Sequence, residues 1–274
     1  MTATFSSLLP MTFIGGGNMA SCIIGGMVAN DFDPRQILVG TPSQSTRDRL
    51  SAATGATTMA DNHQAAARAD IVVLAVKPKM MRQVVMDLAS ALTHRPIIIS
   101  VAAGIPVAAL KQWLGSDMPV IRAMPNTPAL VGMGMSVMSP APGCPPESLA
   151  LAERVLGSVG EVRTAPEAQQ DAVTAVSGSG PAYVFYVAEA MIDAGVMLGL
   201  PRALAHDLTV QTLLGAATMM RDTGEHPTVL RENVTSPGGA TDAAVHVLDD
   251  AAVKAALANA MRACRDRSVE LGRS

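Results

Sequence analysis

The sequence predicts an α/β N-terminal domain with a mostly parallel sheet over residues 1–166, followed by an all-α domain over residues 167–274. Three observations carry this. Short, near-continuously apolar β-branched runs alternate with alanine-rich stretches through the first half, the pattern of strands covered on both faces. From about Pro166 the strand pattern stops. Helical stretches then follow one another, several opening on a proline, where the missing N–H does no harm.

The candidate strands are residues 11–15, 36–40, 71–76, 96–101, 119–123, 135–139 and 160–163. Helices are expected between the early ones, at 19–29, 45–53, 62–68, 79–92 and 106–113. The late strands lie closer together with few helical residues between them, so the sheet is expected to finish in an antiparallel edge. Beyond them, helices are expected at 167–176, 181–198, 201–223, 227–232, 240–248 and 250–271, with Gly199-Leu200-Pro201 as a stop-and-restart signal. Val184, Val187, Ala188, Met191 and Ala194 make one very apolar face, and Leu204, Leu208, Leu213 and Leu214 another. One small bundle cannot bury so much, so the helical domain is expected to be a dimerisation domain.

Composition excludes several classes of function. The 274 residues are 49% apolar, enough for a sizeable core, and a formal net charge of −3 gives no footprint for nucleic acid. Three widely spaced cysteines suggest neither a disulfide framework nor a metal pair, and five histidines show no ligand spacing, so no metal is expected. The longest apolar stretch, residues 97–110, is too short and too broken for a membrane span. The first ten residues lack the features of an export signal, so the expected location is cytoplasmic.

The first strand runs into Gly15-Gly16-Gly17-Asn18-Met19-Ala20, which fits G-x-G-x-x-A with a helix to follow. Gly15 allows a tight turn, Gly17 lets the backbone approach a pyrophosphate, and Ala20 lets the helix pack closely; the helix start offers N–H groups to the phosphates. This is the context of a Rossmann-type dinucleotide site. The second strand ends Thr41-Pro42-Ser43-Gln44-Ser45-Thr46-Arg47, without the acid that holds the ribose 2′-OH of NAD. Hydroxyls from Thr41 and Ser43, with Arg47, suit a 2′-phosphate, so NADPH is preferred and NADH stays possible; the same residue types also make an ordinary capped loop. Ala75-Val76 lead to Lys77-Pro78 at another strand end, and Ala102-Ala103-Gly104 close a third. The small residues leave room for a nicotinamide ribose, though either stretch also suits a surface turn.

A second glycine-rich break, Thr235-Ser236-Pro237-Gly238-Gly239-Ala240-Thr241, lies among the C-terminal helices. It reads either as a tight turn or as a helix start that binds an anion.

These blocks together resemble the pyrroline-5-carboxylate reductase family. The resemblance rests on Gly15 to Met19, Ala75-Val76-Lys77-Pro78, Met124-Pro125-Asn126-Thr127-Pro128, Ser177-Gly178-Ser179-Gly180-Pro181-Ala182-Tyr183, Asp193-Ala194-Gly195 with Gly199-Leu200-Pro201-Arg202, and residues 235–241. The last block is the most specific. Ala240 stands where many members have Thr.

The resemblance implies reduction of 1-pyrroline-5-carboxylate to L-proline with NAD(P)H, the last step of proline biosynthesis. It implies that Gly15, Gly16, Gly17, Asn18 and Met19 form the diphosphate turn, Thr41 and Ser43 meet the adenosine ribose or 2′-phosphate, and Asn62 lies on the adenosine side. Ala75, Val76, Lys77, Pro78, Ala102, Ala103 and Gly104 would flank the ribose and nicotinamide. Ser236, Gly238, Gly239, Ala240 and Thr241 would hold the substrate, Thr241 and Glu167 being catalytic: Thr241 by hydrogen bonding the ring nitrogen, Glu167 by poising the iminium charge or orienting water. The expected assembly is a homodimer through the C-terminal helices, or a higher ring of dimers.

A 3-hydroxyacid dehydrogenase shares the layout but commonly places a lysine in a long helix, and residues 171–220 contain none. A nucleotide sensor without turnover has little need of the 238–241 elbow.

Overall fold

The structure is a computed structural model describing residues 10–115 and 117–273. The N-terminal lead before Pro10 therefore lies outside the described residues.

The first half alternates as expected. Strand β1 (Met11–Ile14) leads through the glycine turn to α1 (Asn18–Ala29), and β2 (Ile37–Gly40) leads to α2 (Gln44–Thr54). A short strand β3 (Thr57–Met59) follows, then α3 (Asn62–Ala66), β4 (Ile71–Leu74) and α4 (Pro78–Leu88). Next come β5 (Ile97–Ser100), α5 (Val107–Leu114), β6 (Val120–Met124) and β7 (Gly134–Pro140). The sheet section closes with α6 (Pro146–Gly157) and β8 (Gly160–Thr164).

One eight-stranded sheet results, in the order β3-β2-β1-β4-β5-β6-β7-β8. Pairing is parallel except between β6 and β7; β8 runs parallel to β7. The sheet thus finishes with two strands reversed against the rest. The expectation of few helical residues before the last strand is corrected: α6 bridges β7 and β8, with Ala152, Val155 and Leu156 fully buried. A parallel pair needs such a crossover. Strand β3, absent from the sequence reading, is an edge strand too short and too exposed to show a pattern.

The sheet is buried on both faces. Phe13, Ile23, Ile24, Met27, Leu50 and Val155 fill one layer, and Leu74, Met81, Val85, Leu110 and Leu114 fill the other. Strand β4 reads Ile-Val-Val-Leu and is buried throughout, which is why it lacks polar alternation.

After β8 come a 3-10 turn (Glu167–Gln169), α7 (Gln170–Val173) and a π-helical turn (Thr174–Gly178) closed by the Ser179 N–H on the Thr174 carbonyl at 2.8 Å. Then follow α8 (Gly180–Met197), α9 (Arg202–Thr223), α10 (Pro227–Asn233), α11 (Ala240–Asp250) and α12 (Val253–Arg273). Packing divides the chain into two compact units: residues 180–263 form one, and the remainder, with 264–274, forms the other. Residues 167–179 and the last turns of α12 thus pack with the sheet, although the sequence reading counts 167–274 as one domain.

In the helical unit, α8 and α9 form a hairpin. Gly195 lets Ala205 approach, since a Cβ at 195 would lie 3.0 Å from that of Ala205, and Arg202 pairs with Asp193 at 2.9 Å across the turn. Outside this seam the helices leave Val184, Phe185, Tyr186, Leu204, Leu208 and Leu214 exposed within one chain. Among the described residues no helix is long and apolar enough to cross a membrane.

Candidate functional site

The sheet order brings the expected cofactor residues to one edge. β2, β1, β4 and β5 are adjacent and parallel, so their carboxyl ends carry Thr41, Gly15, Ala75 and Ala102 side by side. The chain turns outward in opposite directions from β1 and β4, the crevice where ligands bind in open α/β sheets.

At the first turn the three glycines have different reasons. Gly15 has φ +99°, and a Cβ there would lie 2.8 Å from the Ala75 carbonyl oxygen. At Gly16 a Cβ would meet Leu50 and Thr46, each at 2.7 Å. A Cβ on Gly17 would meet nothing within 4 Å. Gly17 is extended, caps α1 and offers it no side-chain cap, so the N–H groups of the first turn, from Asn18 and Met19 on, stay available. Open space above an uncapped helix start fits a dinucleotide's diphosphate.

Arg49, absent from the sequence reading, braces this turn: its Nη2 donates to the Gly16 carbonyl at 2.9 Å and its Nη1 to Ser21 Oγ at 3.3 Å. Thr41 is buried, Ser43 caps α2, and Arg47 donates to the Thr41 carbonyl at 2.7 Å. Asn62 packs over the end of β2, its Oδ1 2.7 Å from where a Cβ on Gly40 would sit. That oxygen is buried and has no hydrogen-bond partner, which fits a donor arriving from the adenosine side. Lys77 is an exposed N-cap and Pro78 opens α4. Ala102 and Gly104 are buried; the space beside Gly104 is taken by Gly272, whose N lies 3.3 Å from where its Cβ would be. The small residue at 104 is thereby explained by packing as well.

Glu167 lies just beyond β8, where its Oε1 accepts the Val107 N–H at 2.7 Å and Arg122 Nη1 at 3.3 Å. Asn126, at the end of β6, spans two segments: it donates to the Ser177 carbonyl at 3.0 Å and accepts from the Met135 N–H at 2.9 Å.

In the helical unit the elbow repeats the first turn's local solution. Gly238 takes φ +70° and Gly239 is an extended N-cap (φ −81°, ψ 176°) without a side-chain cap. Of its N–H groups, Gly238's is taken by Asp242 Oδ2 at 3.0 Å and Gly239's by the Ser236 carbonyl at 2.9 Å. Ala240 and Thr241, in the first turn of α11, have no capping side chain over their N–H groups, and both are exposed. The turn thus spends two donors on holding its own shape.

Among the described residues no group of His, Cys, Asp and Glu is placed to hold a metal ion. Burial pushes the Cys22 thiol in α1 above its ordinary pKa, against its backbone hydrogen bond, which suits a packing residue rather than a nucleophile.

Residues 167–271 match the family described as pyrroline-5-carboxylate reductase dimerisation, and residues 10–104 match NADP oxidoreductase, coenzyme F420-dependent. Over 263 residues the chain is 43% identical to the pyrroline-5-carboxylate reductase of Corynebacterium melassecola, covering 95% of this chain and 97% of that protein. The chain belongs to the pyrroline-5-carboxylate reductase family. Among solved structures, the Coxiella burnetii pyrroline-5-carboxylate reductase superposes with a TM-score of 0.90 at 39% identity, covering 97% of this chain and 99% of that one. The Plasmodium falciparum pyrroline carboxylate reductase, solved with NADP bound, does so with a TM-score of 0.87 at 30% identity, over 96% and 98%. The reductase family's dimerisation region begins at residue 167, whereas packing divides the chain after residue 179.

Proposed function

We propose that this chain reduces the C=N bond of 1-pyrroline-5-carboxylate to give L-proline, the last step of proline biosynthesis, as an NAD(P)H-dependent oxidoreductase. The observation that carries the reading is family membership across nearly the whole chain, joined to two uncapped glycine-led helix starts, one suited to a diphosphate and one to a carboxylate.

The cofactor, when bound, supplies a hydride from the nicotinamide C4. The chain's own task is positioning. Gly15 to Met19, with Arg49 behind them, hold the diphosphate; Thr41, Ser43, Arg47 and Asn62 take the adenosine end. Ala75 to Pro78 and Ala102 to Gly104 flank the nicotinamide side. The Ala240 and Thr241 N–H groups orient the substrate carboxylate, a helix-end interaction of about 0.3–1 kcal/mol that selects more than it grips. Ser236, Gly238 and Gly239 shape that elbow. The Thr241 hydroxyl hydrogen-bonds the ring nitrogen and steadies its proton, so the iminium carbon accepts the hydride and the product leaves as the amine. Glu167 has Oε2 left to balance the iminium charge or orient a water. Holding two reactants in register is worth up to roughly 7–11 kcal/mol of the barrier, so no metal or covalent intermediate is needed.

NADPH preference over NADH is supported by the lack of an acid between Thr41 and Arg47 and by the Arg47 guanidinium beside that turn. The exposed apolar faces of α8 and α9 support a homodimer through the helical region; a ring of dimers as the larger assembly and a cytoplasmic location belong to the same reading.

The test follows NADPH and NADH oxidation with pyrroline-5-carboxylate and, separately, with carbonyls derived from 3-hydroxyacids. Turnover of the imine with the higher kcat/KM for NADPH is expected. No imine turnover by well-folded protein overturns the activity, and a higher kcat/KM with NADH overturns the preference.

A further inference from the structure

We propose that Arg122 is a positioning residue for this reaction, fixing through Glu167 and Asp171 the turn 102–106 on the nicotinamide side of the site. The inference rests on the cofactor placement above and extends it to a residue outside the glycine turns, the hydroxyl set and the elbow.

The contacts close into a ring. Arg122, on β6, is 6% exposed; its Nη1 donates to Glu167 Oε1 at 3.3 Å and its Nη2 lies 3.9 Å from Asp171 Oδ1. The same Glu167 oxygen accepts the Val107 N–H at 2.7 Å. It thus closes the start of α5, where Pro106 at the N-cap has no side-chain hydrogen bond to give. Turn 102–106 runs directly into that helix. On the other side, Asp171 Oδ1 accepts from Ser268 Oγ on α12 at 2.7 Å. Four residues further along α12, Gly272 meets the backbone of Gly104 in the middle of the turn. Both routes to the turn therefore end at one guanidinium.

A buried guanidinium is costly unless paired, and well-packed apolar residues often serve stability as well. Geometry gives the reason for an arginine here. Its planar fork sets two nitrogens at a fixed spacing toward the two carboxylates, whereas an ammonium carries all its donors on one nitrogen at the end of a flexible stem. Arg122 itself makes these contacts inside the fold, so its influence on the reaction runs through the turn and through Glu167, whose Oε1 it holds. Displacement of a reacting group by about 1 Å costs as much as 10²-fold in rate.

The test compares Arg122→Met and Arg122→Lys with wild type in the absence of imine, by calorimetric binding of NADPH and of 2′,5′-ADP, which lacks the nicotinamide. For Arg122→Met, NADPH affinity is expected to fall about tenfold with 2′,5′-ADP affinity held within about twofold, the mark of one displaced end of the site. Steady-state kcat is expected to fall in parallel, and Arg122→Lys to recover part of both. Trp113, the one tryptophan of the chain and a residue of α5, is expected to change its emission in the Met variant and regain it in the Lys variant. A lowered melting temperature with the wild-type ratio of the two affinities and wild-type kcat would mean a purely structural role and overturn the proposal. Should Arg122→Met not fold, Asp171→Asn reads the same ratio: a smaller shift in the same direction supports the proposal, and an unchanged ratio overturns it. Because the binding arms contain no imine, failure to reduce pyrroline-5-carboxylate would end the activity reading and leave this one to the affinity ratio.

Discussion

Gly104 and Gly272 meet backbone to backbone: a Cβ on Gly272 would lie 2.6 Å from the Gly104 carbonyl oxygen. Two residues 168 positions apart thus share a space that admits no side chain on either, and the end of the last helix becomes part of the sheet's packing. Gly272→Ala is expected to destabilise the protein by about 1–3 kcal/mol, the ordinary cost of overpacking. Thermal unfolding followed by circular dichroism checks this; an unchanged midpoint would mean that the helix end simply moves away.

The glycines of the first turn separate folding from binding. Gly17 has φ −72° and open space around its missing Cβ, so Gly17→Ala is expected to leave the stability equal or raise it by up to about 1 kcal/mol. On the proposed function the added methyl occupies the diphosphate's approach, and NADPH affinity is expected to fall about tenfold or more. Gly15→Ala is expected to do the opposite, losing about 1–3 kcal/mol of stability, because φ is +99° and the Ala75 backbone is in the way. Equal melting temperatures for the two variants would contradict the assignment.

Thr241→Ala tests the elbow. The side chain is exposed, so stability is expected to stay within about 0.5 kcal/mol. kcat/KM for the imine is expected to fall by about 10²-fold or less, the worth of one hydrogen bond in the transition state. Kinetics equal to wild type would reduce Thr241 to a helix-start residue.

The apolar helices make a prediction about assembly. Phe185 and Tyr186 are 67% and 75% exposed within one chain, a costly arrangement unless a second chain covers them. Phe185→Asp is expected to shift sedimentation toward the monomer at micromolar concentration, while the far-ultraviolet spectrum stays helical. An unshifted profile would place the interface elsewhere on the helical region.

Much of the fold was readable because burial leaves a trace in composition. Ile71–Leu74 and Ile97–Ser100 are buried on every residue, and only covered strands tolerate such runs. Thr57–Met59 left no trace: three residues, none fully buried, make no pattern. In 146–157 the spacing of Leu149, Ala152, Val155 and Leu156 was helical, yet the stretch fell between two strands read as neighbours. At the site, glycines and helix starts are local and therefore legible. The Arg122 cluster is not, because its partners Glu167 and Asp171 stand 45 and more positions away and nothing local announces the pairing. Arg49 was hidden for the same reason: it reaches back 33 positions to Gly16.

The chain begins α1 and α11 alike, each on an extended glycine without a side-chain cap and with a positive-φ glycine shortly before it, Gly15 two residues ahead of Gly17 and Gly238 directly ahead of Gly239. A helix start left bare is an unfinished piece of secondary structure. On the proposed function the two ligands are its missing caps, completing the hydrogen-bonding of the polypeptide as serine or aspartate does elsewhere. Each should then raise the melting temperature on its own account as its concentration passes its dissociation constant. On that reading the empty enzyme is the less finished fold, and these two helix starts are closed only once both ligands are in place.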